Sequence, residues 1–263
     1  IAACGIALWD LRAKKAGEPL YKLLGGHSNK VKCYGGAIDL NYPLEKLLAN
    51  NQRYLDMGLK AVKIKLGQKT LAEDIARIKA VRELIGPDVT FMVDANMSWS
   101  VEKAIKGAKL MAPYDILFLE EPTIPEDYEG YGRIAREGNI AVAAGENLRT
   151  PMEFQHMMQY GHVDFPQPDA SNVGGITGWL KVATISQVNN LTVSTHGMQE
   201  LHVSLLAALP NAGYLEMHSF PIDQYTTRPL VIDPEDGMAV APEEPGIGVT
   251  FDWEKLAPYK VEF

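Results

Sequence analysis

The sequence predicts an α/β fold, a closed parallel barrel of the (β/α)8 type in a modified (β/α)7β form. First, strand-like apolar runs alternate with amphipathic helical runs through the 263 residues, the rhythm of βαβ units around a parallel sheet. Second, three of these runs, at 89–94, 115–120 and 140–146, end in Asp94, Glu120 and Glu146, acids that stand 26 residues apart each time. That interval is about one strand, one helix and two loops, so each acid recurs at the same height in successive units. Third, no glycine-rich nucleotide fingerprint follows the first strand, which disfavours an open, doubly wound sheet.

Residues 2–24 read as a helix, with Ile6, Trp9, Leu11 and the run at 20–24 apolar and Gly25-Gly26 as a stop. A first strand at 31–37 and a helix at 43–57, ending before Gly58, lead to a second strand at 61–67. Its alternation sets Lys63 and Lys65 on one face and Val62 and Ile64 on the other. The next helix places Leu71, Ile75, Ile78 and Ile85 on one face and closes at Gly86-Pro87. Strand 89–94, helix 101–111, strand 116–120, helix 128–136 and strand 140–145 follow. Thr150-Pro-Met-Glu153 has the form of a capping box with proline at the first helical position and opens another helix. Residues 165–169 keep the rhythm, but Pro166 and Pro168 each remove a ladder donor, so a very short strand is expected there. Helix 179–188, strand 191–195, helix 201–209 and strand 214–217 complete eight strands with seven helices between them. The stretch 226–263, rich in Pro, Gly and Glu, fits neither rhythm and is expected to wrap the outside or to reach toward whatever precedes Ile1. The chain starts inside a helix without an initiator Met, so an upstream segment is expected.

Hydrophobic content of 46% with 22% charged residues is that of an ordinary soluble globular protein, and no apolar run approaches the about 20 residues that span a bilayer. A net charge of -8 with scattered lysines and arginines disfavours nucleic acid as a partner. Cys4 and Cys33 have no zinc-type spacing and no secretory signal is visible, so a reducing cytoplasm is expected, with both thiols as buried fillers.

Catalytic groups of such barrels sit at the C-terminal ends of strands. Read in order, those ends carry Lys63 and Lys65, then Asp94, Glu120, Glu146, Asp169, His196 and Glu216, an ionisable residue on every strand from the second to the eighth. One such residue is more often solvated or structurally paired; an unbroken series points to chemistry. Asp94, Glu120 and Glu146 at adjacent tips would make a cage of hard, mutually repelling oxygens, suited to Mg²⁺ or a similar cation.

The pattern resembles the enolase superfamily and, within it, the mandelate racemase subgroup. The motifs are Val62-Lys-Ile-Lys65, Val93-Asp-Ala-Asn96, Leu119-Glu-Glu-Pro122, Gly145-Glu-Asn147, Pro168-Asp-Ala170 with Gly174-Gly-Ile-Thr-Gly178, Ser194-Thr-His196 and Leu215-Glu216, and the likeness around them runs over residues 2–251. The resemblance implies Asp94, Glu120 and Glu146 as Mg²⁺ ligands and a reaction that begins by removing the proton α to a carboxylate, leaving an enediolate that the cation stabilises. It implies Lys65 as one base, with Lys63 lowering its pKa by like-charge repulsion and offering a cation to the substrate carboxylate. On the opposite side it implies His196, with Asp169 fixing its tautomer. Glu216 would act protonated, as a hydrogen-bond donor to the substrate, its pKa raised by neighbouring carboxylates. Asn96 either contacts the substrate or a metal-bound water, or is a turn residue after its strand. Glu121 is expected to point to the other side of its strand as a salt-bridge partner. Gln199-Glu200 either line the pocket or begin a helix. His27, His156, His162, His202 and His218 match no motif and read as surface or packing residues.

Reprotonation from the opposite face would give racemisation or epimerisation, loss of a β-hydroxyl would give dehydration, and loss of a ring oxygen would give cycloisomerisation. Dehydration of an acid sugar ranks first by analogy with the subgroup. The muconate-lactonising branch is set aside because it would want lysine where this chain has Asp169. The expected partner is a small-molecule carboxylate or sugar acid, and the subgroup's habit is a homo-oligomer, a dimer or octamer. The family's N-terminal capping domain is absent from this chain, so residues 1–30 read as a helical lead-in to it, 31–225 as the barrel, and 226–263 as a tail on the barrel or capping domain. The reading of another class is a catalytically silent barrel that binds a carboxylate.

Overall fold

Seven parallel strands form one curled sheet in the computed structural model, which describes residues 1–219 and 221–261. Their spatial order is Phe165–Pro166, Val142–Ala144, Ile116–Glu120, Thr90–Asp94, Ala61–Lys65, Cys33–Gly36 and Leu215–His218. Helices Leu44–Asp56, Leu71–Ile85, Val101–Met111, Tyr128–Gly138, Pro151–Gly161, Ile176–Val188 and Gln199–Ala207 alternate with them, save that the last two follow one another with no strand of the sheet between. Thr70 with Glu73, and Thr150 with Glu153, form reciprocal capping boxes at two helix starts.

The segment 191–195, expected as a strand, is only a single-residue bridge, Val193 to Ala212. Its flanks still reach both sheet edges, since Ser194 N–H donates to the Pro166 carbonyl at 2.9 Å and Thr195 N–H to the Tyr214 carbonyl at 3.1 Å. Pro166 and Pro168 supply no donors on that side, so a continuous ladder cannot form. The Phe165–Pro166 strand is correspondingly as short as its prolines predict.

Register explains why the acids meet. Lys65 pairs with Asp94 and Asp94 with Glu120 across adjacent strands, so the three tips stand level. Period-two alternation then sorts each strand: Val62, Ile64, Phe91, Val93 and Leu119 pack with the main core, while Ala61, Met92, Phe118 and Ala143 form a second cluster with Tyr34. That second cluster lies directly below Lys63, Asp94 and Glu120 on the same strand faces. It places a dry, aromatic floor under the charges; Phe118 and Phe165 rings stand 5.1 Å apart.

Three expectations are corrected. The first helix is two, Ala2–Ala16 and Leu20–Leu23, because Gly17 turns left-handed at φ 70° and Pro19 follows. Residues 31–37 divide as well: Cys33–Gly36 joins the parallel sheet, while Lys30–Val31 pairs antiparallel with Ala239–Val240, which pairs in turn with Val231–Ile232. The tail therefore does contain strands, and a short helix, Trp253–Leu256. No helix among the described residues is long and apolar enough to cross a membrane.

Gly35 shows how tightly the first parallel strand packs. A Cβ there would fall 2.4 Å from the Tyr54 ring, whose hydroxyl donates to the Gly36 carbonyl at 2.8 Å. Gly35→Ala is expected to destabilise by about 1–3 kcal/mol through overpacking, read as a lower urea midpoint; an unchanged midpoint would contradict it.

Candidate active site

Lys63 and Lys65 rise from the Ala61–Lys65 strand, Asp94 and Glu120 from the tips of the next two, and Glu216 from Leu215–His218; all are buried. Glu146, Asp169 and His196 come from the loops just beyond their strands. Asp94, Glu120 and Glu146 bring carboxylate oxygens within 4.8 Å of one another. The side chain of every residue expected at the site except Asn96 is thereby joined into one network of ion pairs and hydrogen bonds.

Lys63 is its hub. Its Nζ lies 2.6 and 2.7 Å from the two Glu120 oxygens, 2.8 Å from Glu216 Oε1, 3.7 Å from Asp94 Oδ2 and 3.1 Å from the Tyr34 hydroxyl. Burial alone would lower its pKa, but Glu120 and Glu216 outweigh burial and hold it well above the ordinary lysine value. Lys65 Nζ contacts Asp94 Oδ2.

Two expected pKa shifts are corrected here. Burial and Lys63 press Lys65 downward, yet the touching Asp94 carboxylate prevails and Lys65 is raised. Burial would likewise raise Glu216, but Lys63, His196 and Lys65 hold it well below the usual carboxylate range. Glu216 is therefore ionised and accepts, from Gly197 N–H at 2.8 Å, where a protonated donor was expected. Two of the three cage carboxyls are raised: burial, with Asp94, Glu216 and Glu146 nearby, pushes Glu120 well up, and burial with Asp94 pushes Glu146 up, whereas Lys65 and Lys63 outweigh burial at Asp94 and lower it.

His196 Nδ1 faces Asp169 Oδ2 at 3.0 Å. A carboxylate can only accept, so Nδ1 carries the proton and Nε2 points to the cage, 3.6 Å from Glu146 and 4.0 Å from Glu216. Burial opposes charge on the ring, but Asp169, Glu216 and Glu146 outweigh it and raise the pKa to about 9. Lys65 ends the strand Ala61–Lys65 inside the sheet, whereas His196 follows the segment around Val193, which hydrogen-bonds to Pro166 and Tyr214 beside the sheet's two edges.

Asn96 is exposed, in a left-handed turn at φ 40°, its N–H donating to Asp94 Oδ1 at 2.7 Å. Glu121 is corrected from a salt-bridge partner: it is fully buried, sits at φ 37°, and its two oxygens accept from Asn147 Nδ2 at 3.0 and 2.9 Å. Burial, then Glu146, lifts its carboxyl to about 8. Non-glycine residues in this conformation are uncommon and concentrate at functional sites. Gln199 begins a helix. Cys4 is exposed, contrary to expectation, and Cys33 is buried. His202 and His218 are both buried.

Sequence reasoning passed over three supports. Gln167 Nε2 donates to Glu120 Oε2 at 2.7 Å; its place two residues before Asp169, on the same face, was the available signal. Tyr34 stands below Lys63. Asp39, in the loop after the first parallel strand, accepts the Lys65 backbone N–H at 2.8 Å, and Arg77 Nη2 ties that loop down through the Asp39 carbonyl at 2.9 Å. No local pattern marked Asp39.

Burial lifts the Asp39 carboxyl from 3.8 to about 6, against the lowering by the Lys65 N–H and Arg77. A raised carboxyl favours the protonated folded state, so its contribution is full below 3.8 and lost as pH climbs through about 6. Asp39→Asn removes that titration. Its stability relative to the unsubstituted protein is expected to improve across this window by about 1.4 kcal/mol for each tenfold difference in proton affinity between the folded and unfolded chain. Urea melts at several pH values check it, and a constant difference would refute it.

The donor set suits Mg²⁺. Oxygens on opposite corners of a Mg²⁺ octahedron lie about 4.2 Å apart, close to the spread of the three carboxylates, and crowded carboxyls with raised pKa gain most from an added positive charge. Hard oxygens for a cation beside two separate proton carriers have a common use. They take a proton from a carbon made acidic by a neighbouring carboxylate and return or relay it. A protein so equipped is a lyase or an isomerase.

More particularly, the chain belongs to the enolase C-terminal domain-like family, whose model matches residues 46–255. It is 43% identical over 256 residues to the 3,6-anhydro-alpha-L-galactonate cycloisomerase of Streptomyces coelicolor, covering 97% of this chain and 70% of that protein. Among solved structures, a racemase from Streptomyces coelicolor A3(2) with bound magnesium superposes at TM-score 0.94 with 41% identity, covering 99% of this chain and 71% of that one. L-Talarate dehydratase from Polaromonas sp. JS666, complexed with Mg and L-glucarate, superposes at 0.90 with 34% identity, covering 98% and 71%. Mg²⁺ is the cofactor of this enolase-type chemistry, as these magnesium-bound relatives bear out.

Proposed function

We propose that this chain carries the catalytic residues for Mg²⁺-dependent removal of the proton α to the carboxylate of a sugar acid, followed by loss of the β-hydroxyl: an acid-sugar dehydratase. The observation that carries the proposal is the grouping of Asp94, Glu120 and Glu146 within 4.8 Å, between Lys65 and the His196–Asp169 pair. Held by these three, a divalent cation would supply positive charge beside the substrate carboxylate and offset the Asp94 charge that now keeps Lys65 protonated. Lys65 Nζ then accepts the α-proton. Lys63, kept charged by Glu216, faces the substrate carboxylate. His196 Nε2, charged through Asp169, delivers a proton to the departing hydroxyl, and Asn96 at the rim contacts the substrate.

Cycloisomerisation of an anhydro sugar acid is the second reading, favoured by the name of the Streptomyces coelicolor relative. Epimerisation would use the same two proton carriers. The finer fold assignment, a (β/α)7β barrel over 31–225 with lead-in 1–30 and tail 226–263, goes with this reading; the two-sided hydrogen bonding of Ser194 and Thr195 supports it. A cytoplasmic setting, in keeping with two free cysteines, and assembly as a dimer or octamer also belong to the proposal, the latter checked by light scattering.

The test is a panel of sugar acids with Mg²⁺ in D₂O, followed by proton NMR. Deuterium at the α-carbon of recovered substrate and a keto-deoxy product carrying deuterium at the former β-carbon are expected, both stopped by a chelator; Mg²⁺ binding without either would favour a silent carboxylate-binding barrel.

A further inference from the structure

His202 lies outside every motif and touches none of the cage carboxylates, yet it joins the two loops that carry the proton-relaying pair. It is fully buried in the helix Gln199–Ala207. Its Nε2 accepts the backbone N–H of Ala170, next to Asp169, at 3.0 Å. Its Nδ1 lies 2.6 Å from the carbonyl of Gly197, next to His196. A backbone N–H can only donate and a carbonyl only accept, so these partners admit one state of the ring: neutral, with the proton on Nδ1. A charged ring would set two N–H groups against each other at Ala170. Burial also lowers its pKa, outweighing Asp169 and the Gly197 carbonyl. Trp179 stacks on it with centroids 6.2 Å apart and donates its own Nε1–H to the Pro168 carbonyl at 2.9 Å, bracing the Asp169 loop a second time.

We propose that His202 is a positioning residue: a tautomer-locked imidazole that sets the spacing of the Asp169 and His196 loops and so aligns their hydrogen bond. The consequence for proton transfer rests on the reading above; the bracing itself does not. Gly197 gives the brace its leverage, because its carbonyl binds His202 while its N–H binds Glu216. A shift of this one residue moves the His196 ring relative to both Asp169 and the cage. Hydrogen-bond pairs of this kind lose alignment steeply, and a displacement of about 1 Å can cost about a hundredfold in rate.

The experiment combines nitrogen-15 NMR of the histidines with α-proton exchange on sugar acids of either α configuration, L-glucarate among them, in the full-length protein with Mg²⁺. His202→Gln keeps an acceptor for Ala170, His202→Asn keeps a donor for Gly197, and His202→Leu keeps neither. In the unsubstituted protein His202 is expected as a neutral Nδ1–H ring; a charged or Nε2–H ring would overturn the proposal. His202→Leu is expected to weaken the His196 Nδ1–H signal and to slow exchange on the histidine side by about ten- to a hundredfold, leaving lysine-side exchange unchanged, with the Gln and Asn variants between. An unaltered His196 signal, or an equal fall on both sides, would refute it. If the unsubstituted protein exchanges neither proton, the proton-transfer reading fails, and the NMR signals alone decide the brace.

Discussion

His196→Asn is expected to abolish exchange of the α-proton presented on the histidine side while leaving the lysine side intact, and Lys65→Ala to do the reverse. The expected fall is about 10²- to 10⁴-fold, the usual contribution of a positioned acid or base. The asymmetry follows from the separation of the two groups. Lys65 is tied to Asp94, whereas His196 is tied to Asp169 on the far arc of the sheet, so neither can reach the other's face. Asparagine at 196 retains a donor for Asp169 but has no titrating nitrogen, which separates proton transfer from loop structure. Two sugar acids epimeric at the α-carbon, followed separately in D₂O, read the two faces. Loss of both exchanges in either variant would point to a single shared base, and loss of neither would remove both residues from the chemistry.

Lys63→Met is expected to destabilise the fold by about 3–5 kcal/mol in metal-free buffer, the cost of stranding buried charge when one partner of an ion pair is removed. Lys63 is 2% exposed, and its ammonium serves Glu120 and Glu216 together; methionine fills similar volume without charge. Two buried carboxyls would then be left above an aromatic floor, where Gln167 Nε2 and the Gly197 N–H donate to them but bring no full positive charge. The loss should shrink as pH falls, because protonating Glu120 or Glu216 removes the uncompensated charge. It should also shrink in excess Mg²⁺, since a cation that binds only the folded protein stabilises it by mass action. Urea unfolding at neutral and acid pH, with and without Mg²⁺, measures each effect. A loss below about 1 kcal/mol in chelator would mean that Lys63 behaves as a surface pair does.

Most strands and helices could be placed from residue order because period-two and period-3.6 patterns are local. The equal spacing of Asp94, Glu120 and Glu146 implied level strand tips; this holds for Asp94 and Glu120, which pair, whereas Glu146 is corrected to the loop past Ala144, since Glu120 pairs with Ala143. Where reading along the chain failed, the missing partner was remote. Val31 left the expected first strand and joined Lys30 in pairing with Ala239–Val240, and the stretch around Val193 fell short of a strand because its neighbour offers prolines. Glu121 defied simple alternation because its backbone turns left-handed just past the strand end.

The chain order by itself determined which residue types stand at or just past the strand ends: two lysines, three acids at equal spacing, then an aspartate, a histidine and a glutamate. Only the tertiary structure decided their charge states and supports. It raised Lys65 where a lowered pKa was expected, ionised Glu216 where a protonated group was expected, and set Asp39, Gln167 and His202 behind Lys65, Glu120 and the Asp169 loop. The reason is physical. Strand ends follow from short-range periodicity, but a pKa or a tautomer answers to whichever charge or peptide lies within a few ångströms, and those neighbours come from segments far apart in the chain.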